Sequence, residues 1–137
     1  MFACSALEPT ATLESPVDID VPANGSNGQN IPHGVTFNSD GTKLFLAGAG
    51  DQEIKEYNLS TAYEVSNSVH QNTYFNGGGL EFVAIAFNTN GTKLFIYDQT
   101  DNDSIKQYSL GSPFDLSNAV LQKEYTWTSS KTLRQIN

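Results

Sequence analysis

A ten-residue stretch of this chain recurs 50 positions later. Phe37-Asn38-Ser39-Asp40-Gly41-Thr42-Lys43-Leu44-Phe45-Leu46 returns as Phe87-Asn88-Thr89-Asn90-Gly91-Thr92-Lys93-Leu94-Phe95-Ile96, with seven positions identical and three conservative. After a one-residue slip the offset becomes 51, and Ile54-Lys55-Glu56-Tyr57-Asn58-Leu59 matches Ile105-Lys106-Gln107-Tyr108-Ser109-Leu110. The correspondence runs on from Ser60–Val69 to Gly111–Val120. The slip falls between Leu46 and Ile54, so a loop of variable length lies there. A unit of this size cannot bury its apolar face alone, so repeats stack on one another.

Each repeat predicts four short strands. The first is Ile31–Phe37 or Phe82–Phe87, the second Lys43–Ala47 or Lys93–Asp98. The third is Ile54–Leu59 or Ile105–Leu110, the fourth Val69–Phe75 or Val120–Thr128. Asp40-Gly41 and Asn90-Gly91 mark the first hairpin turn, where glycine supplies a positive φ. Tyr63 or Phe114, the single aromatic of the polar corner between the third and fourth strands, is expected to plug the sheet edge. The predicted organisation is an N-terminal extension over 1–30, repeats over 31–80 and 81–130, and a tail over 131–137. Ser15-Pro16-Val17-Asp18-Ile19 echoes Ser112-Pro113-Phe114-Asp115-Leu116, so the extension is read as an extra or exchanged outer strand.

Strand alternation puts Leu44 and Leu46 on one face and Phe45 on the other. Tyr57 and Leu59 likewise oppose Ile54. Sheets apolar on both faces must be sandwiched between further layers, whereas a two-sheet sandwich leaves one face of each sheet wet. Radially stacked four-stranded sheets meet that demand at about 40–50 residues per blade. The expected fold is therefore all-β, with two four-stranded antiparallel β-propeller blades per chain.

Phe37-Asn38-Ser39-Asp40-Gly41-Thr42-Lys43-Leu44-Phe45, then Ile54-Lys55-Glu56-Tyr57-Asn58-Leu59, then Ser60-Thr61-Ala62-Tyr63-Glu64-Val65-Ser66 resembles the bacterial propeller repeats built on F-x-P-D-G-T-K-L-Y-V. Such repeats occur in lactonase-like, surface-layer and TolB-like propellers. The resemblance covers residues 31–128 and implies the fold, while such blades serve binding, scaffolding and catalysis alike. Asn38 and Asn88 precede Ser39 and Thr89, where the family usually has proline, and Asn90 replaces the turn aspartate. These departures change turn chemistry.

Two blades do not close a ring, which takes about four to eight. Either identical chains complete it or the chain is a fragment of a longer propeller. A homo-oligomer is expected, with a trimer giving six blades favoured and a dimer as runner-up. The trimer resembles small fungal and bacterial lectins made from two-blade chains. Closure by rotation requires a head-to-tail interface.

Composition bears on partners. Lys plus Arg is 7 against 15 for Asp plus Glu, a net charge of −8. That argues against a nucleic-acid surface and against anionic membranes. No apolar run reaches the ~18 residues of a spanning helix. Cys4 is the one cysteine, so no intramolecular disulfide is available. Ala3-Cys4-Ser5 looks like the end of a lipoprotein cleavage box without its apolar part, and an ordinary cysteine in a tail is the plainer reading. The compartment stays open, with export favoured.

Propeller ligands usually meet the loops around the central channel. Here those are Asn76-Gly77-Gly78-Gly79 and Asp98-Gln99-Thr100-Asp101-Asn102-Asp103. Asp98, Asp101 and Asp103 are candidate metal ligands, since three hard carboxylates suit Ca²⁺. Their spacing is not that of a calcium-binding helix-loop-helix, and the matching loop keeps Asp51 and Glu53. No other cofactor is called for. Asn76, Gly77 and Gly78 are a candidate flexible loop over a ligand, without the helix a phosphate loop needs. His33 is a candidate channel residue, and His70 is expected too distant to pair with it. Trp127 is a candidate platform for a sugar, or an outer-strand packing residue. No G-x-S-x-G occurs and no catalytic constellation emerges. The expected function is a non-catalytic binding or interaction module for a glycan or protein ligand. The alternatives are a channel-centred metal-dependent hydrolase of lactonase type, or a fragment of a longer propeller.

Overall fold

The computed structural model describes residues 32–50, 52–75, 79, 81–100 and 103–127. Regular structure among them is eight strands and two short 3-10 turns. The strands are β1 (Pro32–Phe37), β2 (Lys43–Gly48), β3 (Glu53–Leu59), β4 (Ser68–Tyr74), β5 (Phe82–Phe87), β6 (Lys93–Asp98), β7 (Ser104–Ser109) and β8 (Val120–Thr126). They form two four-stranded sheets ordered β1-β2-β3-β4 and β5-β6-β7-β8, with every paired neighbour antiparallel. This is the up-and-down strand order of a propeller blade, twice over. The predicted extension (1–30) and tail (131–137) lie outside the described residues.

The repeat is exact enough to carry irregularities with it. The β1–β2 register shifts between Pro32 and Gly34, and the β5–β6 register between Phe82 and Ala84. A second shift, at Glu56/Tyr57, is matched at Gln107/Tyr108. Left-handed backbone also repeats: Tyr63 (φ 60°) with Phe114 (φ 58°), and Gln52 (φ 56°) with Asp103 (φ 33°).

The first hairpin turn is built from side chains. Asn38 Oδ1 accepts from the Lys43 N–H at 2.9 Å and its Nδ2 donates to Thr42 Oγ1 at 3.1 Å. Asp40 accepts from the Thr42 N–H and hydroxyl. Asn88, Asn90, Thr92 and Lys93 reproduce the arrangement. Asparagine at 38 and 88, one residue before the position where the similar repeats usually have proline, thus cross-links the turn. Gly41 and Gly91 have φ of 72° and 68°, as expected.

Several expectations need correction. Tyr63 and Phe114 do not plug a sheet edge. Their left-handed backbone swings each ring over the glycine of the first turn, where an added Cβ would lie 2.4 Å from Tyr63 Cδ2 or 2.3 Å from Phe114 Cε2. The third strands begin one residue early, at Glu53 and Ser104, and the second of them ends at Ser109. The fourth strand of the first repeat is Ser68–Tyr74, because Phe75 turns left-handed (φ 61°) and packs on Phe82 and Tyr108.

Alternation divides each sheet into two faces, called forward and rear. The forward face of the first sheet carries Phe45, Ala47 and Ile54, with Tyr74 opposite Ile54. It packs on the rear face of the second sheet, which carries Ile85, Leu94, Ile96, Tyr108 and Leu110. Phe45 meets Phe87 edge-on at 4.8 Å. Side chains such as Phe45, Ile54, Leu94 and Ile96 are fully buried there, each contributing about 1.5–3 kcal/mol. The inner strands come closest, since a Cβ on Gly34 would stand 3.1 Å from Ala84 Cα. The rear face of the first sheet holds a second buried cluster, Leu44, Tyr57 and Leu59, against Phe37 and Leu46. Both faces of the first sheet are apolar, as the alternation predicts.

Among the described residues, buried charges stand in ion pairs. Glu56 is buried, ion-paired with Lys43 at 2.6 Å, and accepts from the Tyr74 hydroxyl at 2.7 Å. Burial, and then that carboxylate, push the Tyr74 phenol well above its ordinary value. Removing one partner of such a pair leaves an uncompensated buried charge.

Candidate functional site

The richest chemistry gathers at one end of the second sheet, where β6 stops and β7 and β8 begin and end. Asp98, the last residue of β6, is buried. Its Oδ1 accepts from the Thr100 N–H and hydroxyl and from the Glu81 N–H, while Oδ2 pairs with Lys106 of β7. Lys106 also reaches Glu124 of β8 at 3.4 Å. Burial opposes the Asp98 charge, but the bonds from Lys106 and Thr100 outweigh it and hold the carboxyl below its ordinary 3.8. Burial likewise opposes the Lys106 charge, and Asp98 reverses that, so the ammonium is held above its usual range. Asp98 is thereby a clamp that ties β6, β7 and the approach to β5 together.

The first sheet solves the same problem with the acid moved. Lys55, the counterpart of Lys106, pairs with Glu53 of its own strand at 3.2 Å. The equivalent of Asp98 is Gly48, and the equivalent of Glu53 is Ser104.

A second cluster is open to solvent. Trp127 follows β8, is 55% exposed, and meets Tyr97 edge-on at 6.1 Å. Its backbone N–H donates to the Asp103 carbonyl at 3.3 Å. Tyr97 donates its hydroxyl to Asp103 Oδ1 at 3.2 Å. Desolvation, followed by that carboxylate, pushes the Tyr97 phenol up. An exposed indole against a tyrosine whose hydroxyl is bonded to a carboxylate offers an apolar platform with polar groups near it, a combination suited to polar ring-shaped ligands.

Two of the sequence candidates, Asp103 and Trp127, are thus brought together. Asp98 stands in its own network with Lys106. Among the described residues no group of three His, Cys, Asp or Glu side chains has the arrangement of a metal site. Asp51, Asn76, Gly77, Gly78 and Asp101 lie outside the described residues. His33 is exposed within the β1 bulge between Pro32 and Gly34. His70 sits on β4, edge-on to Tyr57 and 3.1 Å from Thr73 Oγ1.

Sequence reasoning missed Tyr97, Thr100, Lys106 and Glu124. Two signals were present. Tyr97 replaces Ala47 of the first repeat, a large residue where the pattern has a small one. Lys55 and Lys106 recur inside apolar strands, where a cation needs an acid.

No helix among the described residues is long and apolar enough to cross a membrane. No family model and no curated protein matches the chain. Among solved structures, the chain is similar to the β-propeller domain of Cps50 (Swd1) from Myceliophteria thermophila, at 14% identity and a TM-score of 0.47. The match covers 69% of this chain and spans 29% of that one.

Proposed function

We propose that this chain is a non-catalytic interaction module of propeller type, of the kind built from F-x-P-D-G-T-K-L-Y-V repeats. Identical chains complete its ring, and it presents rim loops to a glycan or protein ligand. The observation that carries this reading is the division of labour at the end of the second sheet. The titratable groups Asp98 and Lys106 are consumed by a buried ion pair, whereas the solvent-facing groups, Trp127 and Asp103, form a platform. A buried, mutually neutralised pair is poorly placed for proton transfer, and an exposed aromatic with an acceptor is suited to recognition. The test is a glycan array and a protein pull-down with the intact chain and with Trp127→Ala, alongside turnover assays on ester and lactone substrates with and without Ca²⁺. The reading expects saturable binding that falls at least tenfold in the variant, with no turnover. Calcium-dependent hydrolysis by the intact chain overturns it in favour of an enzyme.

A further inference from the structure

The interface between the two sheets is also a template, because each sheet repeats the other's sequence. Where the first sheet's forward face meets its neighbour, Phe45, Ala47 and Ile54 are 0% exposed. Their equivalents on the forward face of the second sheet, Phe95, Tyr97 and Ile105, are only half-buried, and Tyr125, the counterpart of Tyr74, is 55% exposed. The rear faces differ at their rim only, since Leu44, Tyr57 and Leu59 are as buried as their equivalents Leu94, Tyr108 and Leu110. Ile85 and Leu116 are buried between the sheets, whereas their equivalents Val35 and Val65 are 59% and 37% exposed. Each chain therefore has one satisfied forward-to-rear junction, a half-open forward face on its second sheet, and an exposed rim at Val35 and Val65 on the rear face of its first.

We infer that the forward face of the second sheet (Phe95, Tyr97, Ile105, Tyr125) docks head-to-tail on the rear face of the first sheet (Val35, Phe37, Val65) of a second copy. This rests on the proposed ring of identical chains and names the surfaces that close it. The template sets the pairing: Phe45 against Phe87 within the chain becomes Phe95 of one copy against Phe37 of the next. Two different faces meet, so the contact is heterologous and propagates around a ring. Tyr97 lies within that contact, so Trp127 and Asp103 border the junction between copies, and the ligand platform is completed by assembly.

Three variants test this by light scattering at micromolar concentration. Ile105→Glu, and Tyr125→Glu at a more exposed position, block the forward face. Val35→Glu blocks the rear face. The wild type is expected at a multiple of the 14.9 kDa chain mass, and each variant alone as a monomer. Mixing Val35→Glu with either forward-face variant leaves one intact junction per pair, so it yields a species of two chains and no more. That recovery also shows the variants are folded. An oligomeric wild type whose variants keep the full mass, or a mixture that stays monomeric, overturns the face assignment alone. A rear-face variant that still forms a dimer points to a symmetric contact and overturns it too. A monomeric wild type overturns the ring reading itself.

Discussion

Replacing Gly91 with alanine tests the repeat unit at its tightest point. Gly91 has a φ of 68°, and an alanine Cβ there would lie 2.3 Å from Phe114 Cε2. The left-handed backbone alone costs an alanine about 1–2 kcal/mol. The ring must also move. Phe114 is half-buried and meets Phe87 at 5.1 Å, so displacing it forfeits an aromatic contact of about 0.5–1.5 kcal/mol with some burial. The total expected for Gly91→Ala is about 1.5–3.5 kcal/mol by these two terms. Gly41→Ala has the same φ problem, but Tyr63 is 57% exposed and has room to swing outward. The contacts it gives up, the exposed hydroxyl bond to the Ser39 carbonyl and the ring contact with Phe37, are solvent-facing and worth little, so Gly41→Ala is expected near the backbone cost alone, about 1–2 kcal/mol. Urea melts of both variants, of Phe114→Ala and of the double variant Gly91→Ala/Phe114→Ala read this directly. The cycle should show a coupling of about 1 kcal/mol or more, because removing the ring removes the clash and leaves the φ cost. A Gly91→Ala variant within about 0.5 kcal/mol of wild type, the range of an inconsequential surface change, would refute the reasoning.

Asp98→Ala leaves Lys106 in the interior with only the 3.4 Å contact to Glu124, and urea melts should show a loss of about 2–4 kcal/mol. Thermal melts against pH should fall on the acid side. Asp98 is held below 3.8, so its stabilisation is complete above that value and is lost as pH falls through its lower folded value. Asp40, Glu64 and Asp115, lowered by bonds from Thr42, Ser66 and Ser117, act in the same direction. Asp98→Asn should flatten the acid limb, and an unchanged limb would remove Asp98 from its cause. Asn38→Pro should destabilise. It deletes the side-chain bonds to Thr42 and Lys43 and the backbone donor to the Lys43 carbonyl, a loss of about 1–3 kcal/mol measurable by calorimetry.

The repeat made most of the fold legible. Offsets of 50 and 51 placed equivalent strands and identified the variable loop. Alternation in Leu44-Phe45-Leu46 showed that both faces of a sheet are apolar. What escaped was long-range side-chain contact. Tyr63 and Phe114 were recognisable as matched corner aromatics, but their place over Gly41 and Gly91 depends on a left-handed residue that nothing local demands. Asp98 looked like one of three neighbouring carboxylates because chain proximity is visible and the strand pairing that brings Lys106 beside it is not. Trp127 and Asp103 meet only because β7 and β8 are antiparallel partners, which juxtaposes the start of one with the end of the other.

The proposed ring needs the forward face of the second sheet to be covered by the rear face of another chain's first sheet. The most direct measurement is the mass of the unmodified chain in solution, by light scattering over a concentration series from high nanomolar to high micromolar. The expected result is a closed assembly of constant mass, three times 14.9 kDa, that neither grows into open polymers nor varies across the upper part of the range. A single-chain mass throughout, with a cooperative thermal transition, would contradict it by showing that each chain covers its own sheets.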